Sequence, residues 1–139
     1  MKLADQAIKV RYDCSEYKVK KINIKKALIF WLLTAGYMGL LFYLSSRSTY
    51  ILPLHTKNID KIIHIIAYIP LAFLLYLSME RSGLKKYAFL VAFIATIIYG
   101  ITDELHQSLV PGRDPAIGDV LADSLGAFLG SLGASFTKA

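Results

Sequence analysis

The sequence predicts an all-α, polytopic membrane protein: four transmembrane helices in a compact bundle, with the N- and C-termini cytoplasmic. Three observations carry this expectation. Of 139 residues, 55% are hydrophobic and only 19% charged, whereas soluble domains carry about 45–50% apolar and about 25% charged residues. The apolar residues gather into four long runs rather than alternating with polar ones. The Lys and Arg residues fall mostly on one side of the topology these runs define. Disorder is excluded, because it requires low hydrophobicity and high charge.

Residues 1–26 form a basic tail, expected to be cytoplasmic, and residues 27–136 the membrane domain. The first run, Ala27 to Ser45, has no charge in nineteen residues. At 1.5 Å per residue it would span about 28 Å, close to the hydrocarbon thickness of a bilayer. It is too long and starts too late for a cleavable signal peptide, so it is expected to insert as an uncleaved anchor. The second run, Ile62 to Met79, is interrupted only by His64 and Pro70. The third extends from Tyr87 to Thr102, and the fourth, glycine-rich, from Ala116 to Phe136. A soluble four-helix bundle would need a polar outer face on each helix. The first three runs have none.

Orientation follows from the short loops. The tail holds Lys2, Lys9, Arg11, Lys18, Lys20, Lys21, Lys25 and Lys26. Arg81, Lys85 and Lys86 lie between helices two and three, and Lys138 ends the chain. Against these twelve, the opposite side has four: Arg47, Lys57, Lys61 and Arg113. The tail, second loop and C-terminus are therefore expected to be cytoplasmic, with the first and third loops outside. The net charge of +6 is then explained by orientation and by anionic lipid headgroups, and no nucleic-acid partner is expected. The single cysteine, Cys14, excludes a disulfide framework and is expected to be a free thiol in a reducing compartment.

The polar residues of the membrane domain share one side of this topology. Asp60, His64 and Tyr68 recur every four residues at the outer end of helix two, with Lys61 adjacent. Asp103, Glu104, His106 and Gln107 close helix three at the same end. Val110 to Arg113 form a tight turn in which Gly112 tolerates positive φ. Asp119 and Asp123, four apart, begin helix four. Ionisable groups at membrane depth are costly and face a bundle interior or a water-filled cavity. Convergence from three segments points to a polar pocket in the outer leaflet.

Each residue also has a structural reading. Asp60 and Asp119 could cap helices two and four. Arg113 could pair with Asp114, His64 could bridge two helices, and Tyr68 could be ordinary packing. Asp123 lies deepest and needs a partner. Ala122, Gly126, Gly130 and Gly133 make a small-residue stripe suited to close helix packing. No phosphate loop, nucleophile elbow or His-Glu-x-x-His motif occurs, and no cofactor motif is present. With oxygen-rich ligands, Asp60, Asp103, Glu104 and Asp119 together with His64 would suit a divalent cation, although the spacing identifies no metal.

The segment GITDELHQSLVPGRDPAIGDVLADSLGAFLG, Gly100 to Gly130, resembles the VanZ-like family of small bacterial membrane proteins, as does the D-K-I-I-H-I-I-A-Y element starting at Asp60. The resemblance runs from Ala27 to Gly133. By matching position it carries the family's polar motif onto Asp60, Lys61, His64, Tyr68, Asp103, Glu104, Gln107, Pro111, Gly112, Arg113 and Asp119. It departs at Asp123, where the family usually has Asn three residues before a Gly; an ionised aspartate, unlike asparagine, cannot donate a hydrogen bond. The resemblance implies a link to resistance against the lipoglycopeptide teicoplanin.

Two functions are expected from these residues. In the first, the pocket binds or modifies an envelope lipid or lipid-linked cell-wall precursor. Asp103 and Glu104 act as acid or base, and His64 shuttles a proton. Lys61 and Arg113 hold an anionic headgroup, and Asp60, Tyr68, Gln107, Asp119 and Asp123 complete the binding site. In the second, the motif is a non-catalytic network that locks helices together in a binding or scaffold protein. Whether the chain is an enzyme is left open, as is its oligomeric state.

Overall fold

A computed structural model describes residues 24–47, 57–113 and 115–137. The basic tail ahead of residue 24, with Cys14, lies outside them, as do Asp114 and most of the first loop. Four helices account for most of the described chain: α1 (Ile24–Ser45), α2 (Lys57–Arg81), α3 (Ala88–Gln107) and α4 (Ile117–Ser135). Among the described residues there is no strand. With 19 to 25 residues each, the helices are about 28–38 Å long at 1.5 Å per residue, matching a bilayer core of about 30 Å. All four are long and apolar enough to cross a membrane. Many large apolar side chains, such as Leu32 on α1 (64% exposed) and Leu121 on α4, face outward as lipid-facing residues would.

Helix α2 is the hub, packing against all three other helices. Successive contacts of Lys61 with Asp119, His64 with Asp123, and the Ile65 and Ile69 carbonyls with Gly126 and Gly130 show α2 and α4 running parallel. The stripe expected on α4 makes this possible, with one change. Ala122, Gly126 and Gly130 are buried, but Gly133 is exposed and has open space around it. Ala134, four residues after Gly130 and fully buried, completes the stripe instead. A strict spacing of four keeps the row on one helix face. A Cβ at Gly126 would stand 2.6 Å from the Ile65 carbonyl oxygen. Only glycine permits that approach.

A second small-residue row lies on α3. Ala88, Ala92, Thr96 and Gly100 are all buried at intervals of four and lead to buried Asp103, Glu104 and Gln107. On α1, only Ala27, Thr34, Leu41 and Ser45 are buried. The interval of seven between the first three makes a narrow seam, so α1 presents most of its surface to lipid.

Pro70 lies inside α2 without ending it. Proline lacks an N–H, so the Ile66 carbonyl loses its helical partner. One residue on, the Ala67 carbonyl accepts a hydrogen bond from Tyr37 Oη of α1 at 3.0 Å. Helix α2 ends in a left-handed turn at Gly83 (φ 93°). Leu84 N donates to Met79 O and Gly83 N to Glu80 O, a pattern that satisfies the last carbonyls of a helix.

Candidate functional site

The polar residues singled out in the sequence collect at one end of the bundle, where α2 and α4 begin and α3 ends. His64, Asp103, Glu104, Gln107, Asp119 and Asp123 are all buried, as is Tyr68. Asp60 and Arg113 are half-buried at the rim. Lys61 joins them with 41% of its side chain exposed, against 7% for its partner Asp119.

Three sets of contacts organise the cluster. Between α2 and α4, Lys61 Nζ donates to Asp119 Oδ1 at 2.8 Å, and His64 Nδ1 shares a hydrogen bond with Asp123 Oδ1 at 2.9 Å. The shared helix direction explains the pairing, since spacings of four on each helix bring successive residues to the same seam. The second set is a relay. Arg113 Nη1 donates to Gln107 Oε1 at 3.2 Å, Gln107 Nε2 donates to Asp103 Oδ2 at 2.9 Å, and Tyr68 Oη makes a long 3.4 Å contact to the same Oδ2. Gln107 suits this middle place because its amide both accepts and donates. Arg113 Nε also reaches the Arg47 carbonyl, tying the loop to the end of α1.

The third contact revises the expected caps. Asp60 lies in the first turn of α2 rather than before it, and Asp119 in the first turn of α4, whose N-cap residue is Ala116. Both still complement the helix dipole. The backbone N–H of Ala116 donates instead to Glu104 Oε2, at 3.1 Å, from the end of α3. No signal in the sequence marks this, because the capping carboxylate stands twelve residues before its donor rather than at the usual N-cap position. The expected partner of Arg113, Asp114, lies outside the described residues.

After these contacts, three buried carboxylate oxygens of the cluster have no hydrogen-bond partner among the described residues: Asp103 Oδ1, Glu104 Oε1 and Asp123 Oδ2; Glu80 Oε2, at the far end of α2, is a fourth outside it. Gly100 stands against Asp123, and a Cβ there would fall 2.9 Å from Asp123 Oδ2. One ligand atom each from His64, Glu104 and Asp123 lies within 4.8 Å of the others. The same holds for Asp60, His64 and Asp119. The arrangement can therefore hold a cation or a proton, and offers donors at its rim to an anion. His106 does not join the cluster. It faces α1, where its Nε2 shares a hydrogen bond with Ser46 Oγ at 3.0 Å and its ring packs against Phe42.

Thr34, Ser78, Thr96 and Ser131 are buried farther along the bundle. Thr34 and Ser78 hydrogen-bond across α1 and α2 at 3.0 Å. Thr34, Ser78 and Thr96 each also bond a carbonyl of their own helix, at Phe30, Leu74 and Ala92. These three hydroxyls are satisfied locally, with only Thr34 and Ser78 also joining two helices, and Ser131 Oγ has no hydrogen-bond partner among the described residues.

Fold and site together define a multi-pass membrane protein that concentrates its buried ionisable residues at one end of a four-helix bundle. The VanZ/LLP1 family model matches residues 15–138, and the chain belongs to that family. The match begins ahead of Ala27, where the motif-based resemblance started. No curated protein and no solved structure matches the chain.

Proposed function

We propose that this protein resides in the bacterial cytoplasmic membrane with the polar end of its bundle outward, and that it binds or modifies an anionic envelope lipid or lipid-linked cell-wall precursor there. The supporting observation is the set of buried carboxylates with unpartnered oxygens on Asp103, Glu104 and Asp123, rimmed by Lys61 and Arg113. Unsatisfied buried polar atoms are costly, and a site kept this way is suited to a ligand or a transferable proton. Arg113 and Lys61 would engage the headgroup phosphate or carboxylate, with arginine offering a paired-donor geometry. Glu104 and Asp103 would give and take protons, and the His64–Asp123 pair would move one between α2 and α4. Asp60, Tyr68, Gln107 and Asp119 would position these groups.

The outward orientation rests on the twelve-to-four distribution of Lys and Arg. The link to glycopeptide resistance rests on family membership, and it is tested directly. Wild type, Glu104→Gln and Arg113→Ala would be expressed at matched membrane levels in a sensitive Gram-positive host. We expect wild type to protect against teicoplanin more than against vancomycin, and both variants to lose protection. Absence of any protection by wild type overturns the resistance role.

One contact favours a second reading. Glu104 Oε2 accepts the Ala116 N–H at the start of α4, and Lys61 binds Asp119, so the motif also fastens α2, α3 and α4. In that reading the protein is a non-catalytic binder or scaffold. Glutamine at 104 keeps an acceptor for the cap while losing the carboxylate. Retained protection in Glu104→Gln with loss in Arg113→Ala therefore selects binding over proton transfer.

A further inference from the structure

We infer that His64, Glu104 and Asp123 hold one divalent transition-metal cation. The inference rests on the lipid-directed reading above and names a resident ion in the same pocket; with the ion bound, His64, Glu104 and Asp123 serve as its ligands and the acid–base role falls to Asp103.

The ligand set is built on three helices: His64 on α2, Glu104 on α3 and Asp123 on α4. All three are buried, with Asp123 fully so. Two of the oxygens lacking partners, Glu104 Oε1 and Asp123 Oδ2, belong to this set, and one ligand atom from each of the three lies within 4.8 Å of the others. The separation of His64 Nδ1 and Asp123 Oδ1, 2.9 Å, also fits coordination. Two ligand atoms about 2.1 Å from one ion stand about 3.0 Å apart at an octahedral right angle and about 3.4 Å apart at the tetrahedral angle, so Zn²⁺ would open this pair slightly. An ion at that edge replaces the proton the pair now shares, so binding releases a proton to solvent.

Charge supports the same assignment. Asp103, Glu104, Asp119 and Asp123 are four buried carboxylates, and Lys61 and Arg113 are the two cations bonded into their network. With the proton that His64 and Asp123 share, one negative charge remains; a divalent cation that displaces that proton brings the cluster to neutrality, where a bilayer would otherwise penalise its charge. One imidazole and two carboxylates suit Zn²⁺ or Mn²⁺ better than Mg²⁺, which takes all-oxygen shells and keeps several waters. The contacts around the set resemble supporting partners of metal ligands: Glu104 is oriented by the Ala116 N–H through its other oxygen.

The full-length protein, purified in detergent and stripped with chelator, would be titrated with ZnCl₂, MnCl₂ and MgCl₂ by calorimetry in two buffers of different ionisation enthalpy. Metal content would be measured after dialysis. We expect about one equivalent of Zn²⁺ or Mn²⁺, displacement of a proton, and weak Mg²⁺ binding. His64→Gln, Glu104→Gln and Asp123→Asn should each weaken binding at least tenfold, while Thr34→Val, remote from the pocket, should not change it. Thermal unfolding of each variant, with and without metal, separates loss of the ligand from loss of the fold. Substoichiometric binding by wild type, or binding equally tight in folded His64→Gln and Asp123→Asn, overturns the inference. A parallel arm measures binding of stripped and loaded protein to phosphatidylglycerol against phosphatidylcholine vesicles. Lipid preference without metal binding defeats the metal site alone; metal binding without lipid preference defeats the lipid reading alone.

Discussion

Replacing Gly130 by alanine should destabilise the bundle far more than the same change three residues later at Gly133. A Cβ at Gly130 would overlap the Ile69 carbonyl oxygen and stand 2.9 Å from Ala72 Cβ, where ordinary carbon contacts lie at about 3.5–4.0 Å. The main obstacle is backbone, so no rotamer change on α2 relieves it and the helix axes must separate by several tenths of an ångström. A gap of about 0.5–1 Å forfeits a quarter to a half of the dispersion well at each neighbouring contact, and those along the Ala122–Ala134 stripe are all affected. Overpacking of this kind costs about 1–3 kcal/mol. Gly133 has open space around it, and alanine there gains up to about 1 kcal/mol of helix propensity. The two variants should therefore differ by about 2–4 kcal/mol, taking these terms together. Unfolding in mixed detergent micelles by SDS titration, followed by circular dichroism, measures the difference. Equal midpoints for Gly130→Ala and Gly133→Ala would refute the parallel, glycine-mediated packing of α2 on α4.

Two further outcomes follow from the same structure. Tyr37→Phe removes the hydrogen bond from α1 to the Ala67 carbonyl of α2 and should cost about 0.5–1.5 kcal/mol; an unchanged midpoint in the same micelle titration would show that this contact does not fasten α1. With Cys14 changed to serine, a cysteine at Ser108 should react with an impermeant maleimide on intact cells and one at Lys85 only after permeabilisation; the reverse pattern would place the polar cluster on the cytoplasmic side.

The helices were legible because bilayer thickness dictates the length of an apolar run. Their ends were less so. Helix α2 begins at Lys57 and α3 continues to Gln107, beyond the apolar limits at Ile62 and Thr102. Helical hydrogen bonding does not stop where apolar character does. Neighbour relations were harder still. The stripe on α4 could be seen against its glycines, but nothing in it said that α2 was the partner. The row Ala88, Ala92, Thr96 and Gly100 leaves no sequence signal, because small residues inside an apolar run carry no contrast with their surroundings. Among residues that all suit lipid, packing is decided by shape rather than by transfer from water, and shape complementarity belongs to pairs of helices.

The site divided along the same line. Spacings of four showed which polar residues share a face, but pairing needed the register between α2 and α4. Asp123 joins the two levels of description. The family resemblance leads to an expectation of asparagine here; the sequence has aspartate, and its Oδ2 has no hydrogen-bond partner among the described residues. Asparagine at this position could accept from His64 through its carbonyl oxygen and present a donor toward its neighbours. Aspartate presents a second acceptor to a buried setting already holding Asp103 and Glu104. With nothing among the described residues donating to that oxygen, aspartate leaves open a contact that the amide of asparagine could make as a donor.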